Sequence, residues 1–138
     1  LANIFENKTS LGVTERHVVL LAVSRYHECH YCMAAHSLGG EAQQVPVEVI
    51  EAIRSDRPIP DNKLEALRRL ATSVVDYRGW VPQAEVDAFL DVGYTHDQLL
   101  DVLVGVAQKT LSNFTNHLAE TPLDEPLNAR AWSPNEAA

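Results

Sequence analysis

Residues 14–38 read TERHVVLLAVSRYHECHYCMAAHSL, and this segment carries the strongest structural signal in the chain. Thr14 can cap a helix, because a threonine hydroxyl accepts a hydrogen bond from a free backbone amide at a helix start. The run from 18 to 23 is apolar on nearly every side of that helix, which predicts burial in the core. The polar string at 25–28 then breaks or bends the helix.

Helical start and stop signals recur along the rest of the chain. A second helix is predicted over residues 29–38, ending where Gly39 and Gly40 permit a left-handed cap. Further helices are predicted over residues 46–54, 61–78, 82–91 and 96–120, the last preceded by a T-x-x-Q capping box at Thr95 and Gln98. The tail beyond Pro122 has the composition of turns, with Trp132 as its one large apolar anchor.

No segment alternates convincingly as a strand, so the sequence predicts an all-α fold, a compact bundle of about six helices. We expect a single domain over residues 1–138. A chain of 138 residues that is 46% hydrophobic and 22% charged can bury a core, which excludes a disordered tail.

The charge balance narrows the classes of partner. Nineteen acidic and eleven basic residues give a net charge of -8, and such a surface repels phosphate, so we expect neither nucleic acid nor anionic membrane as a partner. The longest apolar run, residues 18–23, is far shorter than the ~20 residues of a membrane-spanning helix. No basic-then-apolar leader opens the chain, which predicts a cytoplasmic protein. The first residue is Leu1, which leaves open whether other residues precede it.

The two cysteines, Cys29 and Cys32, form a C-x-x-C pair followed by His36. Positions three and four apart share one face of a helix, so the two thiols can touch and the imidazole lies one turn beyond Cys32. A helix N-terminus or a nearby base converts a weakly nucleophilic thiol into a thiolate. A second thiol can then close a disulfide and prevent overoxidation.

Other interpretations of the same residues remain open. The pair could be purely structural, since free cysteines often simply pack. A zinc site is a second alternative, with ligands drawn from Cys29, Cys32, His36 and one of His17, His27 or His30. A c-type haem needs histidine directly after the second cysteine, where Met33 stands, and an iron–sulfur cluster ordinarily needs four thiolates.

Residues 16–36, RHVVLLAVSRYHECHYCMAAH, resemble the signature of the alkylhydroperoxidase D-like, or carboxymuconolactone decarboxylase, superfamily. The redox branch of that family carries a glutamate, then C-x-x-C, then x-x-x-H. Residues 63–75, 86–100 with the turn at 93–95, and 105–117 match the helical order of the family, so the resemblance extends over most of the chain.

The resemblance implies an all-α subunit that assembles into homotrimers or homohexamers and acts as a thiol-dependent peroxidase. In that family the second cysteine, here Cys32, meets the hydroperoxide, and the first, Cys29, resolves it into a disulfide. His36 belongs to the proton relay. The family needs no metal or organic cofactor, but a partner thiol, sometimes a dihydrolipoyl protein, must reduce the disulfide again.

One position departs from the family pattern. The relay glutamate usually stands twelve residues before the first cysteine, and this chain has His17 there. Imidazole can also shuttle protons near neutral pH, so His17 is the candidate relay residue. Glu15 and Glu28 are alternatives by a different route.

Three hypotheses for function follow. The favoured one is a thiol-dependent peroxidase with Cys29, Cys32, His36 and His17 as its catalytic residues. The second is a lactone decarboxylase of the carboxymuconolactone type, which works by acid–base chemistry and does not need the C-x-x-C pair. The third is a non-enzymatic protein, either zinc-stabilised or redox-sensing.

Overall fold

The computed structural model describes residues 1–135, and within that range every regular element is helical, as the sequence predicts. This described range contains seven α-helices: α1 (Ala2–Lys8), α2 (Val13–Tyr26), α3 (His30–Ala42), α4 (Val47–Arg54), α5 (Asn62–Asp76), α6 (Gln83–Asp91) and α7 (His96–Ala119). A 3-10 helix follows at Glu125–Arg130. The expectation of about six helices omitted α1 and the 3-10 helix.

Helix α2 lies at the centre and packs against α3, α4, α5 and α7. All of its residues from 17 to 24 are buried, which is why its apolar run has no polar side. The start differs slightly from the predicted one. The cap residue is Gly12, not Thr14, and its backbone N–H donates to the Glu15 carboxylate at 2.7 Å.

Helix α1 was not predicted, since its seven residues are too few to show a clear apolar period. It is held by Phe5, which is completely buried. A Cβ atom on Gly105 of α7 would lie 2.7 Å from Phe5 Cζ and 2.8 Å from Val19 Cγ1. Glycine at 105 therefore lets α7 approach α1 and α2 closely.

The prediction that Gly39 and Gly40 end the second helix is wrong, because α3 continues to Ala42. Both glycines serve close packing instead. A Cβ atom on Gly40 would lie 3.2 Å from Ile50 Cδ1 and 3.4 Å from His17 Nδ1. The missing side chains thus bring α3 against α4 and, more importantly for the site, against the His17 ring of α2.

Five of the described helices end next to a residue with a left-handed backbone conformation. After α2, Glu28 adopts a left-handed φ of 54°, its N–H bonds to Arg25 O at 2.9 Å, and the Cys29 N–H bonds to Ser24 O at 2.9 Å. This is a Schellman motif, which satisfies two free carbonyls at the helix end. The same left-handed step occurs near the ends of four other helices, at Gln44, Asp56, Arg78 and Glu120.

The tail is anchored as predicted by Trp132, which is 4% exposed and donates from Nε1 to Arg54 O at 3.0 Å. The buried Arg54 guanidinium in turn donates to the carbonyls of Arg130 and Ala131 at 3.1 and 3.0 Å. Trp80, by contrast, is 85% exposed. Across residues 1–135, none of the helices combines the length and apolarity needed to cross a membrane.

Candidate functional site

The Schellman motif at the end of α2 sets the position of the cysteine pair. It makes Cys29 both the last residue of that motif and the N-cap of α3. Cys32 follows in the first turn of α3, where the unpaired amides of the helix start favour negative charge. The break that the sequence predicts at 25–28 is therefore what turns the pair into the N-terminus of a new helix.

Both thiols are free and nearly covered, with Cys29 1% and Cys32 2% exposed. They lie within hydrogen-bonding reach of each other, with the Cys29 thiol as donor toward the Cys32 sulfur. Asn116 of α7 donates from Nδ2 to Cys32 Sγ at 3.2 Å. The Cys32 sulfur is thus the acceptor at the centre of the cluster.

A buried lysine of α7 completes the surroundings of Cys32. Lys109 is 4% exposed, and its Nζ lies 2.7 Å from His36 Nε2 and within hydrogen-bonding reach of the Cys32 thiol. An ammonium group donates but cannot accept, so Nε2 of His36 must accept here and the ring proton resides on Nδ1. Burial lowers the pKa of Lys109, while the cysteines oppose that shift.

These contacts separate the chemistry of the two thiols. The hydrogen bond from Cys29 lowers the pKa of Cys32 to about 5, with Lys109, Asn116 and Asn113 contributing in the same direction against the effect of burial. The same hydrogen bond and its own burial raise the pKa of Cys29. Cys32 is therefore the thiolate and Cys29 the neutral thiol.

His36 does not stand in the direct contact with Cys32 that its spacing suggests. Its Nε2 pairs with Lys109, which contacts both residues. The His36 side chain keeps part of its surface accessible to solvent and is half-buried. The protein packed around its ring nevertheless lowers the pKa of His36 well below the ordinary value, and the charges of Lys109 and His17 lower it further. Near pH 7 the ring is neutral, and the group that faces Cys32 is the Lys109 ammonium rather than the imidazole.

His17 lies beside His36, with the two ring centroids 6.1 Å apart and the planes at 70°. Burial lowers the pKa of His17, and its Nδ1 atom has no hydrogen-bond partner among the described residues. Both rings line one cavity of about 340 Å³, here called the histidine cavity. Its other walls include Phe5, Glu6, Arg16, Leu20 and Gln43.

A second cavity of about 340 Å³ reaches Cys29, and we call it the Cys29 groove. Glu28, Cys29, His30, Tyr31, Asn116, His117, Glu120 and Thr121 form its walls. Cys32 is not among them. The histidine cavity and the Cys29 groove thus share no lining residue, and the first reaches His36 while the second reaches Cys29.

The two glutamates that were alternatives to His17 have other surroundings. Glu15 caps α2 by accepting from the Gly12 backbone N–H. Glu28 is exposed in the wall of the Cys29 groove. Of the three candidates for the relay position, His17 is the one that shares a cavity with His36.

Sequence reasoning placed neither Lys109 nor Asn116 in the site. A signal for both exists in the spacing of α7, because Val102, Gly105, Lys109, Asn113 and Asn116 follow one another at steps of three and four. A lysine in line with a valine and a glycine of the core is an anomaly that indicates a buried charge.

Asn113 connects α7 to the end of α2, bonding to His27 Nδ1 at 3.0 Å and Ser24 Oγ at 3.2 Å.

The described part of the chain brings no three His, Cys, Asp or Glu side chains together in a metal-binding arrangement. The ligand set considered for zinc is therefore not assembled in residues 1–135.

No protein-family model matches the chain, and no curated protein matches it at a significant level.

Proposed function

We propose that this protein is a cytoplasmic thiol-dependent peroxidase of the alkylhydroperoxidase D-like type. The observation that carries the proposal is the environment of Cys32, whose sulfur faces the Lys109 ammonium, the Asn116 amide and the Cys29 thiol at once. Such surroundings stabilise a thiolate beside a neutral thiol that can resolve it.

The first chemical step is attack of the Cys32 thiolate on the distal oxygen of a hydroperoxide. The S–O bond forms as the O–O bond breaks, which gives a Cys32 sulfenic acid and an alkoxide that takes a proton and leaves as an alcohol. Cys29 then attacks the sulfenic sulfur, releasing water and closing the disulfide. Two electrons from a partner dithiol restore both thiols.

Lys109 and the two histidines supply the route for the proton. The ammonium is the acid that faces Cys32, and it can protonate the departing alkoxide. His36, which accepts from Lys109 at 2.7 Å, returns a proton to the resulting amine after its ring proton has moved from Nδ1 to Nε2 by exchange with water. His17 connects this pair to solvent through the histidine cavity, which is large enough to hold water between the rings.

The surface of α7 supports a homo-oligomer, and we include a homotrimer or homohexamer in the proposal. Five large apolar side chains repeat at helical spacing along its outer face: Leu100, Leu103, Leu111, Phe114 and Leu118, with exposures of 59%, 39%, 64%, 48% and 89%. Exposed apolar stripes of this kind are typical of protein interfaces. Light scattering of the purified protein tests the assembly.

The test of the function is stoichiometric oxidation followed by mass spectrometry. One equivalent of an alkyl hydroperoxide should remove the mass of two hydrogen atoms from the intact protein, and peptide analysis should place the bond between Cys29 and Cys32. Peroxide consumption with a dithiol as reductant should be abolished in Cys32→Ser. If the thiols stay reduced while free cysteine in the same tube is oxidised, the proposal is wrong.

A further inference from the structure

The Cys29 groove and the histidine cavity differ in which sulfur they reach. Cys29 lies in the wall of the groove, whereas Cys32 lines neither cavity and accepts a hydrogen bond from Asn116. A thiol that approaches a Cys29–Cys32 disulfide from solvent through the groove therefore meets Cys29 first. Because Cys29 is only 1% exposed, the approaching molecule must be slender at its sulfur end.

The exchange chemistry favours the same sulfur. An incoming thiolate that bonds to Cys29 breaks the S–S bond and expels Cys32 as a thiolate into the reach of Lys109 and Asn116. Attack on Cys32 would expel Cys29, which Lys109 stabilises only through its charge and which takes its hydrogen bond from the Cys32 backbone amide rather than from the Asn116 amide. The better stabilised thiolate is the better leaving group, so attack at Cys29 is the faster direction. A second reductant thiolate then attacks the reductant sulfur of the mixed disulfide, and Cys29 leaves and takes a proton.

The charge of the groove narrows the class of reductant. The side chains of Glu28 and Glu120 line it, and Asp124 at its border accepts from the Tyr31 hydroxyl at 2.7 Å. His30 and His117 are the other titratable groups in its walls besides Cys29 and Tyr31. Among the described residues no lysine or arginine lines the groove.

We propose that the reductant enters through the Cys29 groove and attacks Cys29, and that the groove selects uncharged or cationic thiols over anionic ones. This inference rests on the proposed function, since it names the second substrate of the same site. The carboxylates of the groove repel an anionic thiol during approach and leave the reactivity of Cys32 toward oxidants unaffected.

The site of attack can be tested without peroxidase activity. The disulfide is prepared with diamide, 2-mercaptoethanol is added at pH 8, and N-ethylmaleimide stops the reaction at short times. Peptide fragmentation between the two cysteines should find the mercaptoethanol adduct on Cys29 and the maleimide on Cys32. The reverse pattern would overturn the assignment of Cys29 as the attacked sulfur.

Charge selection is tested with 2-mercaptoethylamine, 2-mercaptoethanol and 3-mercaptopropionate, comparing each thiol between variants so that its intrinsic reactivity cancels. In Glu28→Gln/Glu120→Gln the rate with mercaptopropionate should rise about fivefold to tenfold at low salt, because two charges at roughly 7 Å in a water-like medium each change a rate about threefold. All three thiols attack as thiolates, so these factors are measured relative to the rate with mercaptoethanol, whose single thiolate charge is common to all three. On this relative scale the rate with mercaptopropionate should rise and the rate with mercaptoethylamine should fall.

The matched control is Glu48→Gln, which removes an exposed carboxylate of α4 outside the groove. It should leave all three rates unchanged, and 0.5 M salt should remove most of the difference between the wild type and the double variant. Equal effects of Glu48→Gln and the groove variants, or no effect of either, would refute the selection. Failure of peroxide to form the disulfide would refute the proposed function alone, since both tests start from diamide-oxidised protein.

Discussion

Replacing Lys109 with methionine should raise the pKa of Cys32. Methionine keeps most of the volume of the side chain but removes the ammonium that contacts the Cys32 thiol and His36. Two opposite charges about 4 Å apart at an effective dielectric constant of about 20 attract each other by ~4 kcal/mol, or roughly 3 pKa units. Because the bonds from Cys29 and Asn116 remain, we expect a rise of about one to two pKa units.

The assay is the pH dependence of iodoacetamide alkylation at Cys32, with the labelled residue identified by peptide mass analysis. In the wild type, Cys32 is a thiolate above its lowered pKa, so its alkylation rate should fall only as the pH drops through about 5. The Lys109→Met curve should lie at higher pH. The control is Lys8→Met, which removes an exposed lysine of α1 and should leave the curve in place. Superimposable curves for Lys109→Met and the wild type would refute the claim that the ammonium stabilises the thiolate, provided that thermal unfolding shows both to be folded.

Other substitutions test separate parts of the structure. His36→Gln retains a hydrogen-bond acceptor but cannot relay protons, so peroxide turnover should fall roughly a hundredfold with little change in the alkylation curve; an unchanged turnover would remove His36 from the relay. Asn116→Asp places a negative charge beside Cys32 Sγ and should raise its pKa more than Asn116→Ala does; the opposite order by alkylation would contradict the contact. Gly105→Ala would put a Cβ 2.7 Å from the α1 phenylalanine, so urea titration should show a loss of about 1–3 kcal/mol in the free energy of unfolding. Gln44→Gly relieves a left-handed φ of 63° at an exposed site and should increase that free energy by up to about 1 kcal/mol, whereas a decrease would show that the residue is not strained.

Those parts of the fold that depend on local sequence could be predicted. The capping box at Thr95 and Gln98 forms with both bonds at 3.1 Å, because its partners lie only three residues apart in the chain. The polar string after the central apolar run does end α2, since its signal lies in neighbouring residues. Helix ends defined by a local turn are therefore accessible to sequence reasoning.

Features that depend on distant residues were misread. Gly39 and Gly40 look like a helix stop when read alone, but they accommodate Ile50 and His17 from two other helices. Helix α1 is specified by one phenylalanine that fits against a glycine about a hundred residues later in the chain. Neither pairing can be inferred before the helices are assembled.

The candidate site divides in the same way. The C-x-x-C spacing brings Cys29 and Cys32 together on one element, and His36 is close because it lies on the same helix. Lys109 lies on α7, 73 positions from His36 in the sequence, and it is Lys109 rather than Cys32 that bonds to the His36 ring. The sequence thus predicts the thiols, whereas the charge that distinguishes them comes from tertiary packing.

The most direct test of the central claim is to identify the thiol that hydroperoxide oxidises first. Each single-cysteine variant receives one equivalent of hydroperoxide in the presence of dimedone, which traps sulfenic acids, and the adduct is located by mass spectrometry. The account predicts rapid trapping at Cys32 in Cys29→Ser and slow or no trapping at Cys29 in Cys32→Ser. Faster trapping at Cys29 would contradict it, because the better nucleophile would then not be the sulfur that accepts the Asn116 hydrogen bond.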